Sequence, residues 1–131
     1  MTDINENLKE KLNHIGGFIE HNNYKISEIS DGYCVMIAEI GDTSLNPFNM
    51  AHGGFVFGLC DTAAGAACVY SGRKAVTVSS NITYFKPAVG KYIKAVAKCV
   101  KLGKSISMFE VDVYNDKEVV VAKAMVEYFY I

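Results

Sequence analysis

The sequence has 131 residues, half of them hydrophobic, with a formal net charge of −1 and a pI of about 6.3. This composition excludes a disordered chain, and the 13 Lys and Arg residues form no run that would bind nucleic acid or a membrane surface. The length suits one domain over 1–131, large enough to bury a hydrophobic core.

The first third of the chain predicts one helix, two strands and a loop. Apolar residues recur at spacings of three and four over residues 4–21, which indicates a helix. Strand-like runs follow at 24–30 and 33–40, and the Asp31-Gly32 pair between them is a hairpin-turn signal. Residues 41–54 are rich in Gly, Asn, Ser and Pro, so we expect a loop there.

Residues 55–70 are apolar almost throughout. Their number and their alanines favour a helix over a pair of strands. Because this helix is apolar on all faces, it is expected to be wrapped by other structure. It is too short to span a membrane, and it carries Asp61 at its centre, so a membrane span is excluded.

The rest of the chain predicts four strands. Apolar and polar residues alternate over 75–86, 91–102, 105–114 and 118–131, and Gly90, Gly103 and Asn115-Asp116 mark the turns between successive runs. In the last run the predicted buried row is Val120, Ala122, Ala124, Val126 and Tyr128. Long strands joined by short turns form an antiparallel sheet. One apolar helix beside such a sheet predicts an α+β fold.

The cysteines and the N-terminus indicate the cellular compartment. Cys34, Cys60, Cys68 and Cys99 form no CxxC pair and no zinc pattern. Isolated thiols in apolar runs are typical of small core side chains in a reducing compartment. The polar N-terminus lacks the apolar stretch of a secretory signal. We therefore expect a cytoplasmic protein without a metal site.

Two features of the central segment indicate chemistry. Asp61 is a carboxylate in an apolar helix, where an ionised group without partners is costly to bury. His52-Gly53-Gly54 comes directly before that helix, where glycines allow close backbone approach to a ligand. The unpaired N–H groups and the dipole of a helix N-terminus can stabilise an oxyanion. The plainer alternative for Asp61 is a hydrogen-bonded core acid or an acid at a hydrated subunit contact. The plainer alternative for His52-Gly53-Gly54 is a glycine-rich helix start without a ligand.

The segment NPFNMAHGGFVFGLCD, residues 46–61, resembles the PaaI-type acyl-CoA thioesterases of the hotdog fold. That family has an Asn six residues before the His of HGG and an Asp nine residues after it, and both spacings hold here. Residues 78–88 and 102–105 resemble the next strand and turn of the family. The resemblance covers roughly residues 40–131. It implies a long central helix wrapped by a curved antiparallel sheet, in a dimer that often forms a tetramer.

The resemblance implies that the chain hydrolyses acyl-CoA and needs no cofactor. Asp61 would be the general base or nucleophile, and the Gly53 N–H would polarise the thioester carbonyl. Asn46 and Thr77 would position substrate or water, and His52 would hold the loop in shape. Substrate contacts are expected from Gly54, Asn81, Tyr84, Lys86, Gly103, Lys104 and Ser105, and Arg73 is a further candidate cation for the CoA phosphates. The chain departs from many relatives at Asn49, where they have Gly.

The two central roles cannot be filled within one helix. Gly53 and Asp61 are eight residues apart, which is roughly 12 Å of helix rise. An oxyanion donor and an attacking group must both lie about 3 Å from the reacting centre. We therefore expect Asp61 to meet Gly53 of a second subunit in a two-fold dimer.

The sequence leaves the acyl group and two other functions open. Aryl, short-chain and medium-chain acyl groups all remain candidates. A hydratase or dehydratase of the same fold would need a catalytic His and an acid in different local motifs. A non-catalytic acyl-CoA binding protein would use the same pocket without turnover.

Overall fold

The structure is a computed structural model that describes residues 4–131. In this part of the chain two short α-helices, a hairpin and a 3-10 helix (Asp42–Ser44) precede the central helix, and four long strands follow it. The elements are α1 (Ile4–Asn13), α2 (Gly17–His21), β1 (Tyr24–Ser30), β2 (Tyr33–Glu39), α3 (Gly53–Val69), β3 (Ala75–Tyr84), β4 (Tyr92–Lys101), β5 (Ile106–Asn115) and β6 (Val120–Tyr130).

The prediction of one helix over residues 4–21 is wrong, because the chain breaks between α1 and α2. Gly16 and Gly17 have φ values of 81° and 62°, in the left-handed region that residues with a side chain rarely adopt. The end of α1 is also attached to β1, since Oδ1 of Asn13 accepts a 2.7 Å hydrogen bond from the Ile26 amide. The two glycines therefore separate two helices and do not merely weaken one.

The six strands form one antiparallel sheet in the order β1-β2-β4-β5-β6-β3 within residues 4–131. The predicted Asp31-Gly32 hairpin is confirmed, and Gly32 has φ 68°. The predicted α+β architecture is confirmed as well, with strand ends within a few residues of the expected ones. In β6, four residues of the expected row are buried, but Val120 is 36% exposed because the strand begins there.

The central helix α3 begins two residues earlier than predicted and contacts all six strands. Its sheet-facing side is buried, in agreement with its apolar sequence. A second side, with Phe57, Asp61 and Gly65 at spacings of four, is only half-buried. The expectation that this helix is wrapped on every face therefore fails within one chain.

Two glycines of α3 allow close packing of strand side chains. A Cβ atom at Gly58 would lie 2.6 Å from the hydroxyl of Tyr24 on β1, and that hydroxyl donates to the Phe55 carbonyl at 2.7 Å. A Cβ atom at Gly65 would lie 3.3 Å from the hydroxyl of Tyr128 on β6. The helix is thus held close to both strands on either side of Asp61.

Strand β3 forms one edge of the sheet, with β6 as its partner. Most of its residues are exposed, including Val76 and Val78, which are 49% and 55% exposed. A long edge strand with exposed apolar side chains is a template for pairing with another chain.

No helix within residues 4–131 has the length and apolar character needed to cross a membrane.

Candidate active site

The Asp61 carboxylate lies at the middle of α3 and is held by two strands. The Thr77 hydroxyl on β3 donates a 2.8 Å hydrogen bond to Asp61 Oδ1. The Tyr128 hydroxyl on β6 donates to the same oxygen at 3.0 Å and also to the Asp61 carbonyl. Among residues 4–131 no group donates a hydrogen bond to Oδ2. One carboxylate oxygen is therefore anchored, and the other is open to water or substrate.

Tyr128 is a site residue that the sequence analysis placed only in the buried row. Its side chain is 4% exposed, and it lies opposite Thr77 in the β3–β6 register. Burial, and next the charge of Asp61, raise the pKa of Tyr128 above its ordinary value, so the hydroxyl stays a donor at neutral pH. A tyrosine in a buried row needs a hydrogen-bond partner, and that requirement is the signal that could have marked Tyr128, although it does not identify Asp61 as the partner.

The N-terminus of α3 leaves one donor unused. The His52 ring caps the helix, because its Nδ1 accepts a 2.8 Å hydrogen bond from the Gly54 amide. The Phe55 and Val56 amides donate to the His52 carbonyl at 2.9 and 3.1 Å. Within the described chain the Gly53 N–H has no partner. It therefore remains available at the positive end of the helix dipole.

Tyr84 fixes the first turn of α3 from the end of β3. Its hydroxyl donates a 2.6 Å hydrogen bond to the Gly53 carbonyl. A Cβ atom at Gly53 would lie 3.3 Å from that hydroxyl, which is tighter than ordinary van der Waals contact. Glycine at this position thus allows the tyrosine to approach the helix backbone.

The loop before α3 is built around Asn46. Its Oδ1 accepts hydrogen bonds from the Phe48 and Met50 amides at 2.9 and 3.1 Å, so this oxygen is occupied by the loop itself. Asn49 has φ 62°, the left-handed conformation that glycine adopts without strain and that asparagine tolerates. Asn49 is therefore compatible with this loop, at the position where the resemblance led us to expect glycine.

A first cavity, of about 350 Å³, lies at the N-terminal end of α3. It brings together four of the predicted site residues, Asn46, Gly53, Tyr84 and Lys86. His52 and Gly54 line a different cavity, together with residues of α2 and the preceding loop. The His52 side chain therefore caps the helix and does not border the first cavity.

A second cavity, of about 260 Å³, lies beside Asp61. None of the residues around the first cavity borders it, and Asp61 does not border the first cavity. Within one chain the structure therefore keeps Asp61 and Thr77 apart from Gly53 and Asn46. This separation agrees with the helix-rise argument.

Besides Gly54, four of the expected substrate contacts border neither of these two cavities: Asn81, Gly103, Lys104 and Ser105. Asn81 is exposed and lies opposite Met125, on the sheet face turned away from α3. A Cβ atom at Gly103 would lie 2.0 Å from the Ile106 carbonyl oxygen, so the turn itself requires this glycine. From the resemblance, Gly103 was expected to contact the substrate together with its neighbours Lys104 and Ser105.

Lys104 and Ser105 lie at the C-terminal end of α3, next to Arg73. The Arg73 guanidinium donates a 2.6 Å hydrogen bond to the Lys104 carbonyl and stacks 3.5 Å from the centre of the Tyr130 ring. The Ser105 carbonyl accepts from the Tyr130 amide at 2.9 Å. Lys86 and Lys104 thus mark opposite ends of a helix that is about 25 Å long.

Cys60, the neighbour of Asp61, is unsuited to be a nucleophile. Its side chain is fully buried, and burial followed by the charge of Asp61 raises its pKa to about 12. Because the thiolate is the reactive form, this thiol is inert near neutral pH.

Residues 4–131 contain no group of three or more His, Cys, Asp or Glu side chains that could hold a metal ion.

Comparison with known proteins gives a family match and close structural neighbours. Residues 48–122 match the family described as the thioesterase superfamily. The acyl-coenzyme A thioesterase PaaI of Escherichia coli K12 is 29% identical over 98 residues, which are 74% of this chain and 70% of that protein. The structure of E. coli PaaI superposes with a TM-score of 0.87 over 95% of this chain and 94% of that one, at 22% identity, and shows the same hotdog fold.

Two streptococcal structures are similar in sequence as well as in fold. A hypothetical thioesterase protein from Streptococcus pneumoniae TIGR4, solved with coenzyme A, is 33% identical with a TM-score of 0.77, covering 83% of this chain and 86% of that one. A protein from Streptococcus mutans UA159, bound to acetyl CoA, is 32% identical with a TM-score of 0.83, covering 92% and 95%. The S. pneumoniae protein was also solved as two alanine variants, of an Asp and of a Thr sixteen residues later. Asp61 and Thr77 have the same separation.

Proposed function

Because the chain belongs to the thioesterase superfamily, we propose that it hydrolyses an acyl-CoA thioester to a carboxylic acid and free CoA. The observation that carries this proposal is the setting of Asp61, a carboxylate with one oxygen anchored by Thr77 and Tyr128 and the other open. The names of PaaI and of the two streptococcal structures, which were solved with coenzyme A and acetyl CoA, support CoA as the carrier.

In the proposed reaction Asp61 supplies the base. Its open oxygen takes a proton from a water molecule, and the water oxygen attacks the thioester carbonyl. The carbonyl oxygen gains negative charge, which the Gly53 N–H stabilises at the helix N-terminus. The C–S bond then breaks, and Asp61 gives its proton to the CoA sulfur, which leaves as the thiol. Direct attack by Asp61 would instead break the C–S bond, release the CoA thiolate and form an anhydride, which water then hydrolyses to the acid and the free Asp61 carboxylate.

This chemistry requires two copies of the chain. Gly53 and Asp61 are on one helix and border different cavities, so neither site is complete in a single subunit. Two features support a dimer: the half-buried face of α3 around Asp61 and the exposed edge of β3. Two central helices packed antiparallel would place Asp61 of one subunit opposite Gly53 of the other, twice per dimer. A tetramer remains a prediction from the resemblance.

The antiparallel arrangement also accounts for the distribution of cations. Lys86 lies at the N-terminal end of α3, whereas Arg73 and Lys104 lie at its C-terminal end. In an antiparallel pair these opposite ends come from different subunits and lie side by side. The cations of both subunits would then flank the entrance to one site, where they can bind the CoA phosphates.

The test is thiol release from a panel of acyl-CoAs. The purified protein is incubated with aryl and C2–C16 acyl-CoAs, and free thiol is measured with a chromogenic reagent. We expect turnover of at least one substrate and none in Asp61→Ala. Tight binding of acyl-CoA without thiol release would indicate a binding protein instead. Hydration of an enoyl-CoA without thiol release would indicate a hydratase.

A further inference from the structure

The Gly53 N–H needs contacts from outside the residue to keep one orientation. Gly53 is the first residue of α3, where backbone amides have no acceptor within the helix. Glycine also lacks the Cβ atom that restricts φ and ψ in other residues. A group that stabilises an oxyanion must be held within about 0.5 Å of its productive position. The neighbouring groups that fix the Gly53 backbone therefore bear on its proposed role.

Both peptide groups that flank Gly53 are fixed by hydrogen bonds. The peptide group before it carries the Gly53 N–H, and its carbonyl, that of His52, accepts two amides of the first turn at 2.9 and 3.1 Å. In the peptide group after it, the Gly54 N–H donates to His52 Nδ1 at 2.8 Å. The carbonyl of that second group accepts the Tyr84 hydroxyl at 2.6 Å. Of these contacts, the one from Tyr84 comes from the sheet and not from α3 and its cap.

We propose that Tyr84 is a positioning residue for the oxyanion donor, which affects the reaction through the Gly53 backbone and not through contact with the substrate. The proposal rests on the proposed thioesterase function. A tyrosine hydroxyl has one proton, so it cannot donate to the Gly53 carbonyl and to a thioester oxygen at the same time. Partial burial raises the pKa of Tyr84, so the hydroxyl stays a donor at neutral pH. The resemblance had instead led us to expect Tyr84 as a substrate contact.

Strand β3 carries positioning groups for both halves of the chemistry. Thr77 donates to Asp61 at 2.8 Å, and Tyr84, seven residues later, donates to Gly53. In the register with β6, Thr77 lies opposite Tyr128 and Tyr84 lies opposite Ala122, and both β6 residues are buried. One strand therefore orients the base through residue 77 and the oxyanion donor through residue 84.

Tyr24 offers a matched comparison with Tyr84. Its hydroxyl donates a 2.7 Å hydrogen bond to the Phe55 carbonyl, which also belongs to the first turn of α3. Tyr24 is fully buried and does not border the first cavity, whereas Tyr84 is 46% exposed and does. If the two hydroxyls only attached the helix to the sheet, the loss of the buried one should cost at least as much as the loss of the exposed one.

The experiment compares Tyr84→Phe with Tyr24→Phe, because each substitution removes one hydroxyl donor to the same helix turn. Thiol release from an acyl-CoA is measured at steady state and in a single turnover with enzyme in excess, which separates chemistry from product release. Thermal melts give the stability of each protein. Removal of an oxyanion donor costs about 10²–10³-fold in kcat, and a loosened donor costs less.

We therefore expect Tyr84→Phe to lower kcat and the single-turnover rate roughly 10-fold, with little change in KM or in melting temperature. Tyr24→Phe should lower the melting temperature and keep both rates. A rise in KM for Tyr84→Phe without a fall in kcat would make Tyr84 a substrate contact and overturn the proposal. Equal losses of kcat in the two variants would also overturn it, because they would show a role in stability alone.

Gly53→Ala tests whether Tyr84 acts through Gly53. The added Cβ atom would lie 3.3 Å from the Tyr84 hydroxyl and 3.5 Å from Cζ of its ring, so it crowds the hydroxyl and makes ordinary contact with the ring. The double variant should therefore be no slower than the slower single variant. Losses of kcat that multiply in the double variant would mean that the two residues act independently.

The outcomes also separate this proposal from the proposed function. If the wild type hydrolyses an acyl-CoA and Tyr84→Phe matches it in kcat and in the single-turnover rate, the positioning role is wrong and the thioesterase function stands. If the wild type releases no thiol from any acyl-CoA, the thioesterase function is wrong, and the positioning role of Tyr84 is overturned with it.

Discussion

The Thr77 hydroxyl on β3 donates a 2.8 Å hydrogen bond to Oδ1 of Asp61 on α3. Tyr128 on β6 donates to the same oxygen, so three elements fix the orientation of one carboxylate. One carboxylate oxygen is therefore held in place, and the other receives no hydrogen bond within residues 4–131. Because Thr77 is on β3 and Tyr128 is on β6, this site can form only when the two strands pair.

Replacing Asp61 by Asn should remove the base and keep the shape. We expect kcat to fall by on the order of 10²–10⁴-fold, the range for a general acid–base group. The fold should survive, since an amide is easier to bury than a charge and can still accept from Thr77. The measurements are steady-state thiol release and a thermal melt. Substantial activity in a folded Asp61→Asn protein would remove Asp61 from the mechanism.

Tyr128→Phe should lower kcat with little change in KM, because the hydroxyl positions Asp61 and does not bind substrate. A hydrogen bond to a charged group contributes about 1.5–3 kcal/mol, so we expect a loss of roughly 10- to 100-fold. Tyr130→Phe is the matched control on the same strand, since its hydroxyl bonds to Ser107 at 2.7 Å and not to Asp61. Equal effects of the two substitutions on kcat would mean that Tyr128 acts only through stability.

Lys104→Glu should raise KM more than it lowers kcat. A remote phosphate contact binds the ground state and the transition state alike, so its loss weakens binding uniformly. Lys117→Glu makes the same charge change on the exposed β5–β6 turn and should leave KM unchanged. The difference between the two variants should shrink as salt is added. An unchanged KM for Lys104→Glu at low salt would make Lys104 an ordinary solvated lysine.

The Cys60 thiol should resist alkylation in the folded protein. Burial, and next the charge of Asp61, raise its pKa to about 12, so the reactive thiolate is scarce until the pH approaches that value. Iodoacetamide at pH 8 should therefore label Cys60 only after unfolding, whereas the half-buried Cys99 should react earlier. Peptide mass spectrometry gives the order of labelling. Rapid labelling of Cys60 in folded protein would show that this part of α3 opens.

The sequence predicted the elements whose signals are local. The Asp31-Gly32 turn and the alternation on either side of it specify the first hairpin, and the apolar run before residue 70 specifies α3. The break between α1 and α2 was missed because a helix propensity scale treats Gly16 and Gly17 as weak helix formers. The scale does not contain the positive φ values that stop the helix.

The partners of Asp61 could be predicted only in part. Thr77 was expected from the resemblance, but Tyr128 is 67 residues from Asp61 in the chain. A period of two tells which side of a strand is buried but not which strands are neighbours. The pairing of β3 with β6 across the two intervening strands decides that Thr77 and Tyr128 face the same carboxylate.

The central claim is that Gly53 and Asn46 of one subunit act with Asp61 of its partner. Asn46→Ala disturbs the loop that leads to Gly53, because Oδ1 of Asn46 accepts two amides of that loop. Asp61→Ala removes the carboxylate. Each variant alone should be nearly inactive, since every site in its homodimer carries the lesion. The two proteins are then mixed in equal amounts, unfolded and refolded, and native mass spectrometry verifies that mixed dimers form.

Random pairing makes about half of the dimers mixed, and in a shared site the two lesions of a mixed dimer fall together in one site. The other site of that dimer carries neither lesion. About a quarter of wild-type thiol release should therefore return in the refolded mixture. If mixed dimers form and activity stays at the level of the single variants, each site is built within one chain and the account is contradicted.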